Sequence, residues 1–375
     1  MPTEYIIFGL LLLGIVLFHQ RALEVAVVGT AALVTYKVTW TGLDLAGHLG
    51  HEWRLMTNLF GLLMGFALLA KHFEESHVPK WLPSHLPSDW KGGFLLLLVV
   101  AGISSFLDNI AGAMIGGVIA RRMYGDRVAL SFIVALVAAS NAGGAGSVIG
   151  DTTTTMMWIA GIPAVVFLKA YLAAISAIAF TGIIAARTQH AYQPAIRTSA
   201  EGVRVDVGRL SIVAMMVLGT IAANIAFDFP SVGLWAGIMV ATFIRPTPWS
   251  ELGHALRGSL FLVLLVLSAS LMPIDSLPEP SWQSALGLGF VSAVLDNIPL
   301  TALAIYQGGY DWAVLAYTVG YGGSMIWFGS SAGVAISNLF PQAKSSLEWL
   351  KAGWHVVVGY VLGFAVMLFL GGWNP

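Results

Sequence analysis

Two short stretches of the sequence decide the predicted fold. Residues 106–110 read Phe-Leu-Asp-Asn-Ile and residues 294–298 read Val-Leu-Asp-Asn-Ile, and each interrupts a run of apolar residues. The flanking apolar arms are too short to cross a bilayer, because about 15 helical residues rise roughly 22 Å and the hydrocarbon core is about 30 Å thick. We therefore predict two re-entrant hairpins with Leu-Asp-Asn at their tips. Their arms are residues 92–107 with 109–120 and residues 283–295 with 297–307.

The composition places these hairpins in a membrane protein. Only 10% of the 375 residues are charged and 57% are hydrophobic, whereas about 25% of the residues of a soluble domain are charged. The mean hydropathy is +0.81, and apolar runs extend over the whole chain. The net charge of −1 excludes a basic nucleic-acid-binding protein, and the absence of cysteine excludes disulfides and Cys-based metal sites. We predict an all-α polytopic membrane protein.

Two further apolar runs are too long for one crossing and are interrupted by glycine. Residues 127–160 contain Asn-Ala-Gly-Gly-Ala-Gly at 141–146, and residues 312–340 contain Gly-Tyr-Gly-Gly-Ser at 320–324. We predict that both are glycine-broken helices. Non-helical backbone at membrane depth is tolerated only where protein or a cavity satisfies its polar groups. If the two hairpins enter the membrane without crossing it, the chain crosses the membrane ten times.

The positions of the basic residues predict the orientation. With ten crossings and the N-terminus outside, fifteen of the 18 Lys and Arg residues fall on the cytoplasmic side, and only Lys37, Arg54 and Lys169 fall outside. This excess follows the positive-inside rule. We expect an integral protein of the bacterial inner (cytoplasmic) membrane with both termini outside.

The two halves of the chain contain the same order of parts: three spans, one hairpin, one broken helix and a final span. Each half makes five predicted crossings, so the second half enters the membrane inverted relative to the first. The hairpin tips then approach each other near the midplane, which is typical of secondary transporters that bind substrate at the repeat interface. We predict a first inverted repeat over 1–187 with hairpin 92–123 and broken helix 127–160, a cytoplasmic linker over 188–208, and a second inverted repeat over 209–375 with hairpin 283–307 and broken helix 312–340.

Three acidic residues, Asp108, Asp151 and Asp296, fall at membrane depth in this arrangement. A carboxylate at the bilayer centre costs roughly 3 kcal/mol on insertion scales and is normally paired. No Lys or Arg falls at that depth, so each acid must be protonated or neutralised by a bound cation, as proton/cation exchange requires. The alternative is that each Asp only caps the N-terminus of the helix that follows it.

Amide and hydroxyl side chains near these acids are candidate cation ligands, because hard cations bind oxygen. Asn109 and Asn297 follow the tip acids, although Asn also favours turns for structural reasons. In the first broken helix the candidates are Asn141 and Thr152, although threonines of a membrane helix more commonly hydrogen-bond to the preceding turn. The second broken helix offers hydroxyls but no acid. The predicted cation- and proton-binding residues are Asp108, Asn109, Asn141, Asp151, Thr152, Asp296, Asn297, Ser324 and Ser330, with Asp108, Asp151 and Asp296 as the expected Na⁺ ligands.

The motifs of the first half resemble those of a known family. Leu-Asp-Asn at 107–109, Asn-Ala-Gly-Gly at 141–144 and Ile-Gly-Asp-Thr-Thr-Thr at 149–154 are similar to the NhaD-type sodium/proton antiporters. These belong to the ion-transporter superfamily, together with arsenite permeases and dicarboxylate and citrate carriers. The resemblance covers about residues 5–371.

This resemblance implies exchange of Na⁺ or Li⁺ for H⁺, with a role in pH homeostasis, without a cofactor and without enzyme activity. It also implies a homodimer in which a mobile transport domain moves as an elevator against a static scaffold domain. The hairpins and broken helices would form the transport domain. Membrane lipid and monovalent cations are the expected partners, and nucleic acid is not expected.

Two other functions also use membrane-embedded acids. The first is a cation-coupled permease for an oxyanion or a carboxylate, in which helix N-termini at the hairpin tips bind the anion. The carboxylate carriers of the superfamily resemble Ser-Asn-Thr at these tips, whereas both tips are Asp-Asn here. The second is an intramembrane aspartyl protease, whose Gly-x-Gly-Asp motif would need glycine where Val148 stands.

Overall fold

The computed structural model describes residues 2–18, 21–196, 203–274 and 277–375. Helices make up 79% of the structure, and the described residues include no strand. This confirms the predicted all-α class. Residues 197–202 of the predicted linker, including the basic residue Arg197, lie outside the described residues.

The described residues form helices and short 3-10 turns, the latter at 82–85, 323–325 and 341–344. In the first half they are α1 (Thr3–Leu17), α2 (Ala22–Trp40), α3 (Leu45–Glu75), α4 (Val78–Trp81), α5 (Trp90–Ser104), α6 (Asn109–Tyr124), α7 (Leu130–Ala145), α8 (Thr152–Ile159), α9 (Ala164–Phe167) and α10 (Ala170–Tyr192). In the second half they are α11 (Val207–Phe227), α12 (Pro230–Ile244), α13 (Glu251–Ser270), α14 (Trp282–Ser292), α15 (Asn297–Gln307), α16 (Trp312–Gly322), α17 (Ser331–Leu339), α18 (Ser346–Ala352) and α19 (Trp354–Gly371).

Six helical segments within the described residues are long and apolar enough to cross a membrane. Their lengths run from 18 to 31 residues, which matches the roughly 20 residues that a spanning helix needs. A polytopic membrane protein is therefore confirmed. These segments are Ala22–Trp40, Leu45–Glu75, Ala164–Tyr192, Val207–Phe227, Glu251–Ser270 and Trp354–Gly371.

The helices are interrupted at the Leu-Asp-Asn stretches and after the glycine-rich stretches. α6 and α15 each begin at the Asn of Leu-Asp-Asn, so Asp108 and Asp296 are their N-cap residues. Residues 146–151 separate α7 from α8, and residues 323–330 separate α16 from α17. The ten crossings, the re-entrant path of the hairpins and the inverted relation of the halves stay predictions.

The first turns of helix α3, which starts at Leu45, contain polar residues with partners on distant helices. His48 Nε2 shares a hydrogen bond of 2.8 Å with Ser270 Oγ, and Glu52 Oε2 accepts one of 2.7 Å from Tyr306 Oη. Hydropathy alone does not reveal these partners, which are 222 and 254 residues away in the sequence.

Glycine lets helix backbones come into direct contact beside both helix breaks. A Cβ atom on Gly143 of α7 would collide with the backbone of Ala101 on α5. A Cβ atom on Gly322 of α16 would collide with the backbone of Gly289 on α14. Larger residues would force these close-packed helices apart. The same kind of contact therefore holds the first arm of each predicted hairpin against a broken helix.

We expect Gly289→Ala to lower the free energy of unfolding by about 1–3 kcal/mol, the usual effect of overpacking. The new methyl group would lie 2.7 Å from the backbone oxygen of Thr318 and would also collide with Tyr360 Oη. Thermal unfolding of the purified protein in detergent measures the effect. Gly287→Ala is the matched control on the same helix, because a Cβ atom there has nothing within 4 Å. Equal melting temperatures for the two variants would contradict the packing.

Candidate functional site

The two broken helices meet in the interior of the protein. α7 packs against α16 and against the 3-10 turn that follows α16. The breaks carry Asn141 and Asp151 from the first half and Ser324 and Ser330 from the second. Asp151 is only 1% exposed, and the other three residues are fully enclosed. The structure therefore brings four of the predicted site residues into one buried region.

Asn141 is the centre of a hydrogen-bond network in this region. Its Nδ2 donates to Ser324 Oγ at 2.9 Å and to Ser330 Oγ at 3.1 Å. Its Oδ1 accepts a hydrogen bond of 3.0 Å from Asn109 Nδ2. Ser140, which the sequence analysis missed, donates at 2.6 Å to the backbone oxygen of Asn109. One amide thus joins the tip of the first hairpin to the helix break of the second half.

Asp151 is the N-cap residue of α8. Its Oδ1 accepts a hydrogen bond of 3.1 Å from the backbone N–H of Thr153, so one of its oxygens does cap the helix. Its Oδ2 is buried and has no hydrogen-bond partner among the described residues. This oxygen lies beside Gly320 of α16, where a Cβ atom would be only 3.0 Å from it. A buried acceptor without a partner is energetically unfavourable. A proton or a cation on the second oxygen would remove this unfavourable free energy.

The acids at the two hairpin tips have different surroundings. Asp296 caps α15, since its Oδ1 accepts a hydrogen bond of 2.9 Å from the backbone N–H of Ile298. Asp108 makes no capping hydrogen bond to α6. Its Oδ1 is buried without a partner in the described part of the chain. One oxygen of Asp296 therefore caps its helix, whereas Asp108 forms no such hydrogen bond.

The three acids do not form a metal-binding cluster. Within the described residues, no group of three His, Asp or Glu side chains could together hold a metal ion. In the same part of the chain, no Lys or Arg forms an ion pair with any of the three acids. A cation bound here would combine few carboxylate oxygens with neutral oxygen ligands.

Two of the predicted amide and hydroxyl ligands lie outside the hydrogen-bond network. Thr152 and Asn297 are buried, but neither side chain hydrogen-bonds to the network residues that the structure describes. The hydroxyls of Thr154 and Thr155 donate to the backbone oxygens of Ser147 and Val148 in the break, at 2.6 and 2.8 Å. They also donate to the backbone oxygen of Asp151, at 2.8 and 3.0 Å. These two threonines therefore hydrogen-bond both to the break between α7 and α8 and to the preceding turn.

Contacts between the breaks are reciprocal. When the Gly-Gly pairs of the two broken helices are aligned, Asn141 corresponds to Gly320 and Asp151 corresponds to Ser330. Asn141 is hydrogen-bonded to Ser330, and Asp151 lies against Gly320. Such reciprocal pairs are what a two-fold relation between two units produces. The sequence analysis missed Gly320, which this alignment of the glycine pairs could have identified.

A cavity of about 480 Å³ reaches the tip of the first hairpin. It lies between α3, α6 and α13, and most of the residues that line it are apolar. Lys71 and Glu74 line it from the C-terminal end of α3, and Glu251 and His254 from the N-terminal end of α13. Asp108 also lines it, at the start of α6. Asp108 is therefore the site acid that a cation in this cavity would meet.

Comparison with known proteins gives several relatives, although no family model matches the chain. Sodium/proton antiporter 1 of Arabidopsis thaliana is 27% identical over 74% of this chain and 55% of its own length, so the chain spans about half of that protein. The Na⁺/H⁺ antiporter NhaD of Vibrio cholerae is 25% identical over 75% of this chain and 70% of its own length. The Na⁺/H⁺ antiporter NhaD of Vibrio parahaemolyticus is 27% identical over 74% of this chain and 79% of its own length. These similarities confirm the predicted resemblance to the NhaD-type antiporters.

We expect Asn141→Ala to lower the free energy of unfolding by about 1–3 kcal/mol, because buried groups that bind its amide lose their partner. Thermal unfolding in detergent measures this loss. Asn374→Ala is the control, since it removes only an exposed hydrogen bond of 2.8 Å to the backbone oxygen of Gly371. If both variants melt at the wild-type temperature, the amide network does not contribute to stability as the geometry requires.

Proposed function

We propose that this chain, which is related to the NhaD-type sodium/proton antiporters, exchanges Na⁺ or Li⁺ for H⁺ across a membrane. Sodium/proton antiport is the activity that the names of its relatives state. The membrane-spanning helices agree with a transporter rather than a soluble enzyme. The proposal requires a group in the membrane that binds a proton or a cation but not both.

The observation that carries the proposal is the second carboxylate oxygen of Asp151. It is buried, it has no hydrogen-bond partner in the described residues, and no basic side chain there is paired with it. A bare carboxylate in such an environment is strongly disfavoured, whereas a protonated or cation-bound one is not. Because one oxygen cannot hold Na⁺ and H⁺ together, the two ions compete for it. That competition couples their movements in opposite directions.

We place the transported cation between Asp151 and the amide network. Ser324 and Ser330 contribute hydroxyl oxygens. Asn141 contributes its side-chain carbonyl oxygen when the cation displaces the hydrogen bond that this oxygen accepts from Asn109 Nδ2. Oxygen ligands of this kind suit a hard cation. Thr152, which directly follows Asp151, is proposed as a further ligand. Gly320 keeps the space beside the carboxylate open, since any side chain there would occupy it.

The tip acids are proposed to pass the cation and the proton to and from this site. Asp108 lines the cavity beside α6 and has an unpaired buried oxygen, so it is the first carboxylate on that route. Asp296 is its counterpart on the second hairpin and would serve the opposite side of the membrane. Asn109 and Asn297, which follow the two acids, are the proposed amide ligands at the tips.

The mechanism we propose uses two inverted repeats, and the reciprocal contacts of Asn141 with Ser330 and of Asp151 with Gly320 support that relation. A homodimer with a static scaffold domain and an elevator-type transport domain completes the proposal. We propose ten crossings, hairpins 92–123 and 283–307 that enter without crossing, repeats 1–187 and 209–375, a cytoplasmic linker 188–208, and termini outside the bacterial inner membrane.

A cation-coupled permease for an oxyanion or a carboxylate is less well supported. An anion would meet an acid at each hairpin tip, in Asp108 and Asp296. In the described part of the chain, no Lys or Arg lies in an ion pair with these acids to offset their charge. Like charges in a low-dielectric site disfavour anion binding.

An ion-flux assay tests the proposed exchange. The protein is reconstituted in vesicles with an acidic interior, and Na⁺, Li⁺ or K⁺ is added outside while a pH-sensitive dye reports the gradient. We expect Na⁺ or Li⁺ to collapse the gradient, because entry of the cation releases a proton from the shared carboxylate. Vesicles without protein are the control. No response to any cation, together with uptake of an anion, would overturn the proposal.

Neutral variants test the three acids. We expect Asp108→Asn, Asp151→Asn and Asp296→Asn each to reduce exchange to the level of empty vesicles, because an amide cannot take up a proton. Membrane insertion should be unchanged, since Asn has the size of Asp and can still cap a helix. Asp126→Asn is the control, because Asp126 is an exposed acid paired with Arg121 at 2.9 Å. Full exchange by both tip variants would show that the tip acids are caps only.

A further inference from the structure

Helices α3 and α13 pack against each other and have different neighbours at their two ends. Glu52 and Lys71 of α3 are about 28 Å apart along the helix. Near Glu52, the neighbour is α15, the second arm of the second hairpin. Near Lys71, the cavity of about 480 Å³ lies between α3 and α6, the second arm of the first hairpin. One end of this helix pair is therefore closed against a hairpin arm, and the other is open.

The closed end is held by a polar contact. Tyr306 Oη of α15 donates a hydrogen bond of 2.7 Å to Glu52 Oε2 of α3. Glu52 is only 7% exposed, so its carboxylate depends on partners inside the protein. One turn away, His48 Nε2 and Ser270 Oγ share a hydrogen bond of 2.8 Å that joins α3 to α13. We call the pair Tyr306 and Glu52 the latch.

Apolar packing accompanies the latch. Ile298 and Ala302 of α15 are 2% and 1% exposed and belong to the same apolar cluster as Leu265 and Ala269 of α13. α15 thus faces α13 through an apolar contact next to the latch. Breaking this contact would admit water between α13 and α15.

The corresponding positions of the first hairpin face the cavity. Ile110, Met114 and Val118 of α6 all line it. Aligned on Leu-Asp-Asn, they correspond in α15 to Ile298, Ala302 and Tyr306. Equivalent faces of the two hairpins are therefore packed in one half and open in the other.

We propose that the latch selects the state in which the Asp108 cavity is open, and that Tyr306 is a positioning residue for cation exchange. This rests on the proposed exchange function, which needs the site to be exposed to each side in turn. In the opposite state α15 would separate from α3 and α13 and α6 would close onto them. The hydrogen bond from Tyr306 to Glu52 exists in only one of the two states, so it biases the equilibrium between them.

Single-cysteine labelling tests this directly, because the chain contains no cysteine. Gly258→Cys reports the cavity, since Gly258 lines it and a Cβ atom there has open space. Ala302→Cys reports the closed contact of α15. Each cysteine variant is made with and without Tyr306→Phe and reconstituted. A maleimide is then added, and the labelling rates at positions 258 and 302 are compared. We expect Tyr306→Phe to raise the ratio of the rate at 302 to the rate at 258 about tenfold, the effect of one hydrogen bond to a carboxylate.

Matched variants separate the latch from a general loosening. Tyr5→Phe removes a hydroxyl that donates at 2.6 Å to the backbone oxygen of Pro273, without involving α15, and should leave the ratio unchanged. Glu52→Gln keeps an acceptor for Tyr306 and should change the ratio less than Tyr306→Phe does. An unchanged ratio in Tyr306→Phe, or an equal rise in labelling at both positions, would overturn the proposal.

The labelling readout does not depend on ion flux, so the two proposals fail separately. If the wild-type protein exchanges Na⁺ for H⁺ but the ratio does not respond to Tyr306→Phe, the latch is wrong and the exchange stands. If the ratio responds but the wild-type protein moves no cation, the latch describes a conformational equilibrium of a chain whose proposed function is wrong.

Discussion

The site depends on a carboxylate oxygen that is buried without a partner. Asp151 uses one oxygen to cap α8, and its other oxygen lies against Gly320 of α16. In a low-dielectric interior an unneutralised carboxylate is unfavourable by several kcal/mol. The neighbouring amide of Asn141 hydrogen-bonds to other groups and does not satisfy it. A proton or a cation on this oxygen would remove the unfavourable charge, which is the chemical basis of the proposed exchange.

The two halves contribute unequal residues to the buried region around Asp151. The first half supplies the larger and charged side chains, Asn141 and Asp151, and the second half supplies Gly320 and Ser330 at the corresponding positions. A second Asp in place of Ser330 would bring two negative charges into one enclosed space. With the present residues, a single carboxylate lies where the broken helices cross. Glycine makes room for it, and the hydroxyl of Ser330 binds the amide of Asn141.

Local signals in the sequence predicted the interruptions of the helices but not the partners of the site residues. Asp108 and Asp296 directly precede α6 and α15, at N-cap positions that Asp favours without any tertiary information. The partners of Asn141 lie 183 and 189 residues away, so no local pattern could pair them. The contact of Glu52 with Tyr306 of α15 could not be predicted for the same reason. The unpaired oxygen of Asp108 also required coordinates, because its sequence context equals that of Asp296.

The central claim is that proton and cation compete for Asp151. The most direct measurement is proton release from the purified protein in weakly buffered detergent solution when Na⁺ is added, followed with a pH-sensitive dye. The account predicts that Na⁺ releases protons from the wild-type protein in a saturable manner and that Asp151→Asn releases markedly fewer. Choline chloride at the same concentration controls for ionic strength. Equal release by Asp151→Asn and by the wild-type protein would contradict the account.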